Sequence, residues 1–149
     1  MSAPVVLVLN GPNLDLLGDR EPEVYGTTTL DDIVSGLTRE AEALQLRIEH
    51  LQSNHEGEIV EAIHGARKRC QAIVVNAGAF THYSWAIHDA LAAFDGYVVE
   101  VHLSNPYARE RWRHESVIAP VADGSICGFG SHGYSLALQA VARHLGTGG

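Results

Sequence analysis

The chain has 149 residues, 46% of them hydrophobic and 19% charged, which excludes a disordered protein and fits one folded domain over residues 1–149 with a proper core. Eighteen acidic residues against ten basic ones give a formal charge of −8, which argues against a nucleic-acid partner because phosphate binding needs a positive surface. No run approaches the length of a membrane span, and no basic leader precedes the first apolar stretch.

Val5 to Leu9 is a continuous apolar run and reads as a buried strand. It ends in a loop from Asn10 to Gly26, about 17 residues long, broken by Gly11, Pro12, Gly18, Pro22 and Gly26. Loops of that length in compact domains are often functional lids, and this one carries Asn13, Arg20 and Tyr25. Leu30, Ile33, Val34, Leu37, Ala41 and Leu44 then recur at helical spacing, with Asp31 and Asp32 in the favourable first turn. Leu46 to Leu51 reads as a second strand, Ile59, Ile63 and Ala66 as a second helix, and Ala72 to Val75 as a third strand. Trp85, Ala86, Ala90, Leu91 and Phe94 mark a third helix before a strand from Tyr97 to Val101. Ser125 to Gly128 is a short last strand, and Leu136, Ala140, Val141 and Leu145 mark the closing helix.

This alternation implies right-handed crossovers and a parallel sheet with helices on both faces. Five strands at this length suggest a flavodoxin-like α/β fold of order 2-1-3-4-5. Cys70 and Cys127 lie far apart among apolar neighbours and form no CxxC or disulfide framework, so they read as free thiols of a cytoplasmic protein.

Ligands of such sheets bind at the carboxyl ends of the strands. Polar clusters follow four of them: Asn10 to Asn13, Gln52 to Asn54, Asn76 to His82, and His102 to Asn105. Any one of these is an ordinary turn, but four on one rim point to a site. Glu100 and His102 are two apart on a strand and share a face, so the carboxylate favours imidazolium and suits His102 to proton donation. His82, His88 and His102 are the rival metal set, but the chain has no HExxH and no strand-end carboxylate pair. Gly128 to Gly133 spells GxGxxG, yet no strand with an acidic residue follows at the spacing a dinucleotide site needs, so these glycines read as tight strand-to-helix packing. Arg109, Arg111 and Arg113 supply a cation cluster for an anionic small molecule.

Tyr25 and Arg20 make the sharpest pairing. A tyrosine of pKa near 10 is a poor base at neutral pH, and lowering it by ~2 units takes about 2.7 kcal/mol. One guanidinium at ~4 Å and an effective dielectric of 20 supplies roughly 4 kcal/mol before desolvation, enough to create a phenolate base.

The pieces NGPNL-x-LLG-x-REPEVYG, QSN-x-EGE, NAGAFTHYS-x-A-x-x-DAL, EVHLSN-x-x-x-RE-x-x-R and GFG-x-x-GY are colinear from Val5 to Leu145, and together they closely resemble the type II 3-dehydroquinate dehydratases. The resemblance implies dehydration of 3-dehydroquinate to 3-dehydroshikimate without metal or organic cofactor. It implies that Tyr25 is the base, that Arg20 lowers its pKa, and that Asn13 positions the water stabilising the enolate. His102 would protonate the departing hydroxyl, oriented by Glu100. Asn76, His82 and Arg113 would hold ring hydroxyls and the carboxylate, and Leu103 and Ser104 would present donors to that carboxylate. Asp89 would reach a neighbouring active site in trimers assembled into dodecamers, and a lid at about residues 18–26 would close over the substrate. Asp15 and Tyr83 stand where many members have asparagine and threonine, at positions given no chemical role. A flavodoxin-like nucleotide or FMN module is the rival reading, but Asn10-Gly-Pro-Asn13 is a poor phosphate cradle; a non-catalytic interaction module leaves the Arg–Tyr lid opposite the His–Glu rim unexplained.

Overall fold

The computed structural model describes residues 2–25 and 27–148, with Tyr25 described through its backbone alone. The expected base, the Tyr25 side chain, and the lid's last residue, Gly26, therefore lie outside the described part.

Five strands, β1 (Val5–Asn10), β2 (Arg47–Gln52), β3 (Ala72–Asn76), β4 (Tyr97–His102) and β5 (Gly124–Cys127), form one parallel sheet of order β2-β1-β3-β4-β5. The helices are α1 (Pro22–Tyr25), α2 (Leu30–Ala43), α3 (Glu56–Ala66), α4 (Trp85–Ala92) and α5 (His132–Leu145). The buried β1 run feeds two cores, because alternate side chains leave opposite faces of the sheet. Val6 and Val8 pack with Leu30, Ile33, Leu37 and Ala41 of α2 and with Tyr134, Ala137, Leu138 and Val141 of α5. Val5, Leu7 and Leu9 pack with Ile59, Ile63 and Ala66 of α3 and with Ile87, Ala90 and Leu91 of α4. The flavodoxin-like order and the helices on both faces agree with the sequence reading. Among the described residues, no helix is long and apolar enough to cross a membrane.

Local chemistry sets the helix starts. Thr29 and Asp32 form a capping box at α2, each side chain accepting the other's backbone N–H, at 3.2 and 3.3 Å. Ser84 Oγ accepts the Ile87 N–H at 3.1 Å and starts α4.

Two helical faces differ from the expected ones. Trp85 is 62% exposed, its ring edge-on to His88, because it lies two residues, about 200° of helix rotation, from the buried Ile87. In α5 the buried stripe is Tyr134, Ala137, Leu138, Val141 and Ala142, leaving Leu136 and Ala140 half-buried. The loop after β1 is also more ordered than its breakers suggest. A 3-10 turn at Leu14–Leu16 drives Leu14 and Leu17 into the core, and α1 adds one helical turn further on.

Two glycines permit close approaches that bring the strand ends together. Gly11 donates its N–H to the Asn76 carbonyl at 2.8 Å, and a Cβ there would stand 2.3 Å from the Ala77 carbonyl oxygen. Gly133 brings α5 down on the sheet, where a Cβ would meet Val101 Cγ1 at 3.3 Å. The packing role expected for the glycines after β5 thus holds at Gly133.

Candidate active site

A cleft of about 580 Å³ opens at the carboxyl ends of β1, β3 and β4. Asn13, Arg20, Asn76, His82, His102, Leu103, Ser104 and Arg113 all line it, so most of the residues singled out from the sequence converge on one space. Glu100 lies behind His102 and not on the cleft wall, and Asp89 does not line it. Asp89 is exposed on α4, where His88 Nδ1 meets its carboxylate at 3.0 Å, and His88 is not a cleft residue either. Asp15 and Tyr83 are exposed and off the cleft.

The β1 side of the cleft is braced by β2. Asn13 takes a left-handed backbone, φ 69°, and its N–H donates to Asn54 Oδ1 at 2.9 Å. Gln52 Nε2 donates to the same Oδ1 at 3.2 Å and to the Gly11 carbonyl at 3.1 Å. The second polar cluster is therefore a brace for Asn13, not part of the cleft wall. Arg20 is half-exposed and pairs with Glu21 at 3.2 Å.

At the end of β3, Asn76 is buried and held on both polar atoms. Its Nδ2 donates to Tyr134 Oη at 3.0 Å, and its Oδ1 accepts the Gly78 N–H at 3.2 Å. The Tyr134 hydroxyl donates in turn to Asn10 Oδ1, and Asn10 Nδ2 donates to His50 Nε2 at 3.0 Å. Burial pushes the Tyr134 phenol up and the His50 imidazole down, so both stay neutral and the chain of donors runs one way.

His82 Nδ1 lies 2.6 Å from the Glu115 carbonyl, which can only accept, so this nitrogen carries the proton. Burial lowers its pKa, the main effect, and leaves a neutral ring whose Nε2 is an acceptor.

Across the cleft, His102 Nε2 meets Glu100 Oε2 at 2.8 Å, the contact expected from their shared strand face. Glu100 is only 1% exposed. Burial pushes its pKa up, but the hydrogen bond and the charge of His102, helped by hydrogen bonds from Ser116 and Ser125, outweigh that and hold it below the ordinary carboxylate value. Ser116 Oγ donates to Oε2 at 2.6 Å and Ser125 Oγ donates to Oε1. Sequence reading missed both serines. Ser125 is the register partner of Glu100 across β4 and β5, which strand pairing alone reveals. Ser116 carried a local signal, a serine whose Oγ accepts the N–H groups of Ile118 and Ala119 in a turn.

The cation cluster differs by one member. Arg109 and Arg113 line the cleft, whereas Arg111 is exposed and off it, and Arg20 arrives from the β1 side instead. Arg109 Nη1 donates to Ser104 Oγ at 3.3 Å, Arg113 Nε donates to Glu110 at 3.1 Å, and the Arg113 guanidinium stacks 4.0 Å over Trp112. A chain of charge −8 thus concentrates three guanidinium groups around one cleft, the arrangement an anionic ligand needs.

A doubly wound sheet with a cation-lined cleft at its carboxyl rim and a carboxylate-held imidazole in the wall has the make-up of an α/β enzyme suited to a small anionic ligand. Within that class, the chain belongs to the dehydroquinase class II family, whose model matches residues 4–142. It is 56% identical over 136 residues to the 3-dehydroquinate dehydratase of Bacillus licheniformis, covering 91% of this chain and 94% of that one. It is likewise 56% identical over 144 residues to that of Ruegeria pomeroyi, covering 97% of each. The type II dehydroquinase crystal structure from Butyrivibrio crossotus superposes with a TM-score of 0.92 at 42% identity, over 93% of this chain and 97% of that one.

Proposed function

We propose that the chain is a cytoplasmic hydro-lyase that converts 3-dehydroquinate to 3-dehydroshikimate by anti elimination through an enolate, without metal or organic cofactor. The observation that carries this reading is His102, backed by Glu100, in the wall of a cleft that also gathers Arg20, Arg109 and Arg113. Tyr25, as phenolate favoured by Arg20, removes a proton from the carbon beside the ketone. The enolate oxygen is stabilised by a water that Asn13 positions. His102 as imidazolium, oriented by Glu100, gives its proton to the departing hydroxyl, which leaves as water. The neutral His82 offers Nε2 as acceptor to a ring hydroxyl, Asn76 offers its remaining amide hydrogen, and Arg113 with Leu103 and Ser104 holds the carboxylate. Closure of residues 18–26 over the ring excludes water from the enolate.

Asp89, exposed and off its own cleft, is read as reaching the cleft of a neighbouring copy in trimers assembled into a dodecamer. Light scattering of the purified protein tests that assembly; a monomer overturns it. The activity is tested by ultraviolet detection of enone formation from 3-dehydroquinate with a chelator present. Turnover that persists with chelator is expected. Folded protein without turnover overturns the reading, and loss on chelation overturns its metal-free part.

A further inference from the structure

Glu100 Oε2 meets two groups, His102 Nε2 at 2.8 Å and Ser116 Oγ at 2.6 Å. The same Ser116 Oγ accepts the N–H of Ile118 at 3.1 Å and of Ala119 at 2.9 Å. A hydroxyl has one proton and two lone pairs. With both lone pairs taken by backbone amides, the one proton of Ser116 goes to Oε2. Ser116 is thus an obligate donor, unlike a serine free to rotate, and Ser125 from the neighbouring strand directs a second proton at Oε1.

We propose that Ser116, assisted by Ser125, is a positioning residue that keeps the Glu100–His102 pair in its carboxylate–imidazolium form and thereby leaves the transferable proton on His102 Nδ1. The inference rests on the reading of His102 as the acid. Around a carboxylate this buried, the pair has a competing neutral form, in which the imidazolium proton on Nε2 moves to Oε2 and the ring keeps only Nδ1–H. The Nδ1–H of a neutral imidazole is far too weak an acid to protonate a departing hydroxyl, whereas that of imidazolium is suited to it. A proton moved to Oε2 would point at His102 Nε2 and leave that oxygen a weaker acceptor for the Ser116 proton, whose bond is strongest to a carboxylate. The two serines therefore penalise the neutral form and favour the charged one. His82 from the segment after β3, Arg113 and His114 from the loop after β4, and Cys127 from β5 face the same cavity. None of these donates to Glu100, whose hydrogen bonds among the described residues come from His102 and the two serines.

The test combines ¹⁵N-histidine NMR with the pH profile of kcat for the unmodified protein, Ser116→Ala, Ser116→Thr and Ser125→Ala. In the unmodified protein, neutral His102 is expected to carry its proton on Nε2. Ser116→Ala is expected to lower kcat about tenfold, the worth of one hydrogen bond to a charged group, with KM within about twofold. The acidic limb of its profile moves to higher pH, because a carboxylate that has lost a donor takes up its proton sooner. Ser116→Thr keeps the hydroxyl and restores both kcat and the limb. Ser125→Ala, on an exposed edge strand where no fold is at stake, moves kcat and the limb the same way by about threefold. Neutral His102 protonated on Nδ1 in the unmodified protein overturns the inference. So does an unchanged kcat and limb in Ser125→Ala, which decides the matter even if Ser116→Ala fails to fold. An unmodified protein without turnover overturns the function reading instead, and the tautomer still decides this one.

Discussion

The two sides of the cleft are built differently. On the β4 side, Glu100 is buried, takes hydrogen bonds from three side chains, and holds His102 at a strand end within the sheet. On the β1 side, Arg20 sits 37% exposed beside the one-turn α1, and its ion pair is with its own neighbour Glu21. A half-exposed pair of that kind is worth at most about 1 kcal/mol. The contrast teaches a division of labour. On the proposed reading, the expected acid His102 is set by the fold itself, while Arg20, the expected partner of the base, sits on a half-exposed segment.

Changing Tyr25 or Glu100 tests this contrast most severely. Tyr25→Phe is expected to lower kcat by about 10³-fold or more while ligand affinity, measured by calorimetry, stays near normal. A near-normal kcat would mean the base lies elsewhere. Glu100→Gln attacks the preset side: kcat should fall about 10²-fold, and the limb that requires protonated His102 should move to lower pH, since the anion favouring imidazolium is gone. An unmoved limb in steady-state kinetics would remove Glu100 from the mechanism.

Arg20→Ala is expected to act more mildly and on the opposite limb. The acidic limb should move to higher pH as the phenolate loses its cation, and an unchanged profile would count against the electrostatic role of Arg20. Tyr134→Phe probes the rigid frame beneath both sides. It removes the hydroxyl joining Asn76 to Asn10, which should cost about 1–3 kcal/mol in urea unfolding and raise KM a few-fold through Asn76.

The smallest effect concerns stability against pH. Burial lowers the pKa of His50 and His82 in the folded chain, so the unfolded chain binds more protons below the ordinary histidine value of 6.5. Their neutral burial is therefore without penalty well above pH 6.5, and stability declines as the pH falls below it. Glu100 adds the carboxylate case: its stabilisation is present above the ordinary value of 4.5 and is lost as the pH falls through its lower folded value. Urea midpoints at pH 7.5, 5.5 and 4 check both, and a midpoint independent of pH would contradict them.

Much of the frame was legible because it depends on local pattern. The all-apolar β1 announces burial on both faces, Asp31 and Asp32 announce the first turn of α2, and the i, i+2 spacing of Glu100 and His102 announces their contact. Trp85 and Leu136 misled because a hydrophobic residue counts toward a helical pattern whichever face it occupies. The cation cluster misled because three alternate arginines on an irregular segment point in different directions, and their spacing alone does not say which.

From the sequence alone come the alternation of strands and helices, the polar rim at the strand ends, and the Glu100–His102 spacing, all of which depend on residues close together in the chain. Tertiary structure alone decided the rest. Ser116 and Ser125 reach Glu100 from 16 and 25 residues away, and Tyr134 reaches Asn10 across 124. Hydrogen bonds act only within about 3 Å, so which distant groups meet is set by strand order, register and close packing at Gly11 and Gly133. Spacing brought His102 to Glu100; folding brought the serines that hold that carboxylate charged.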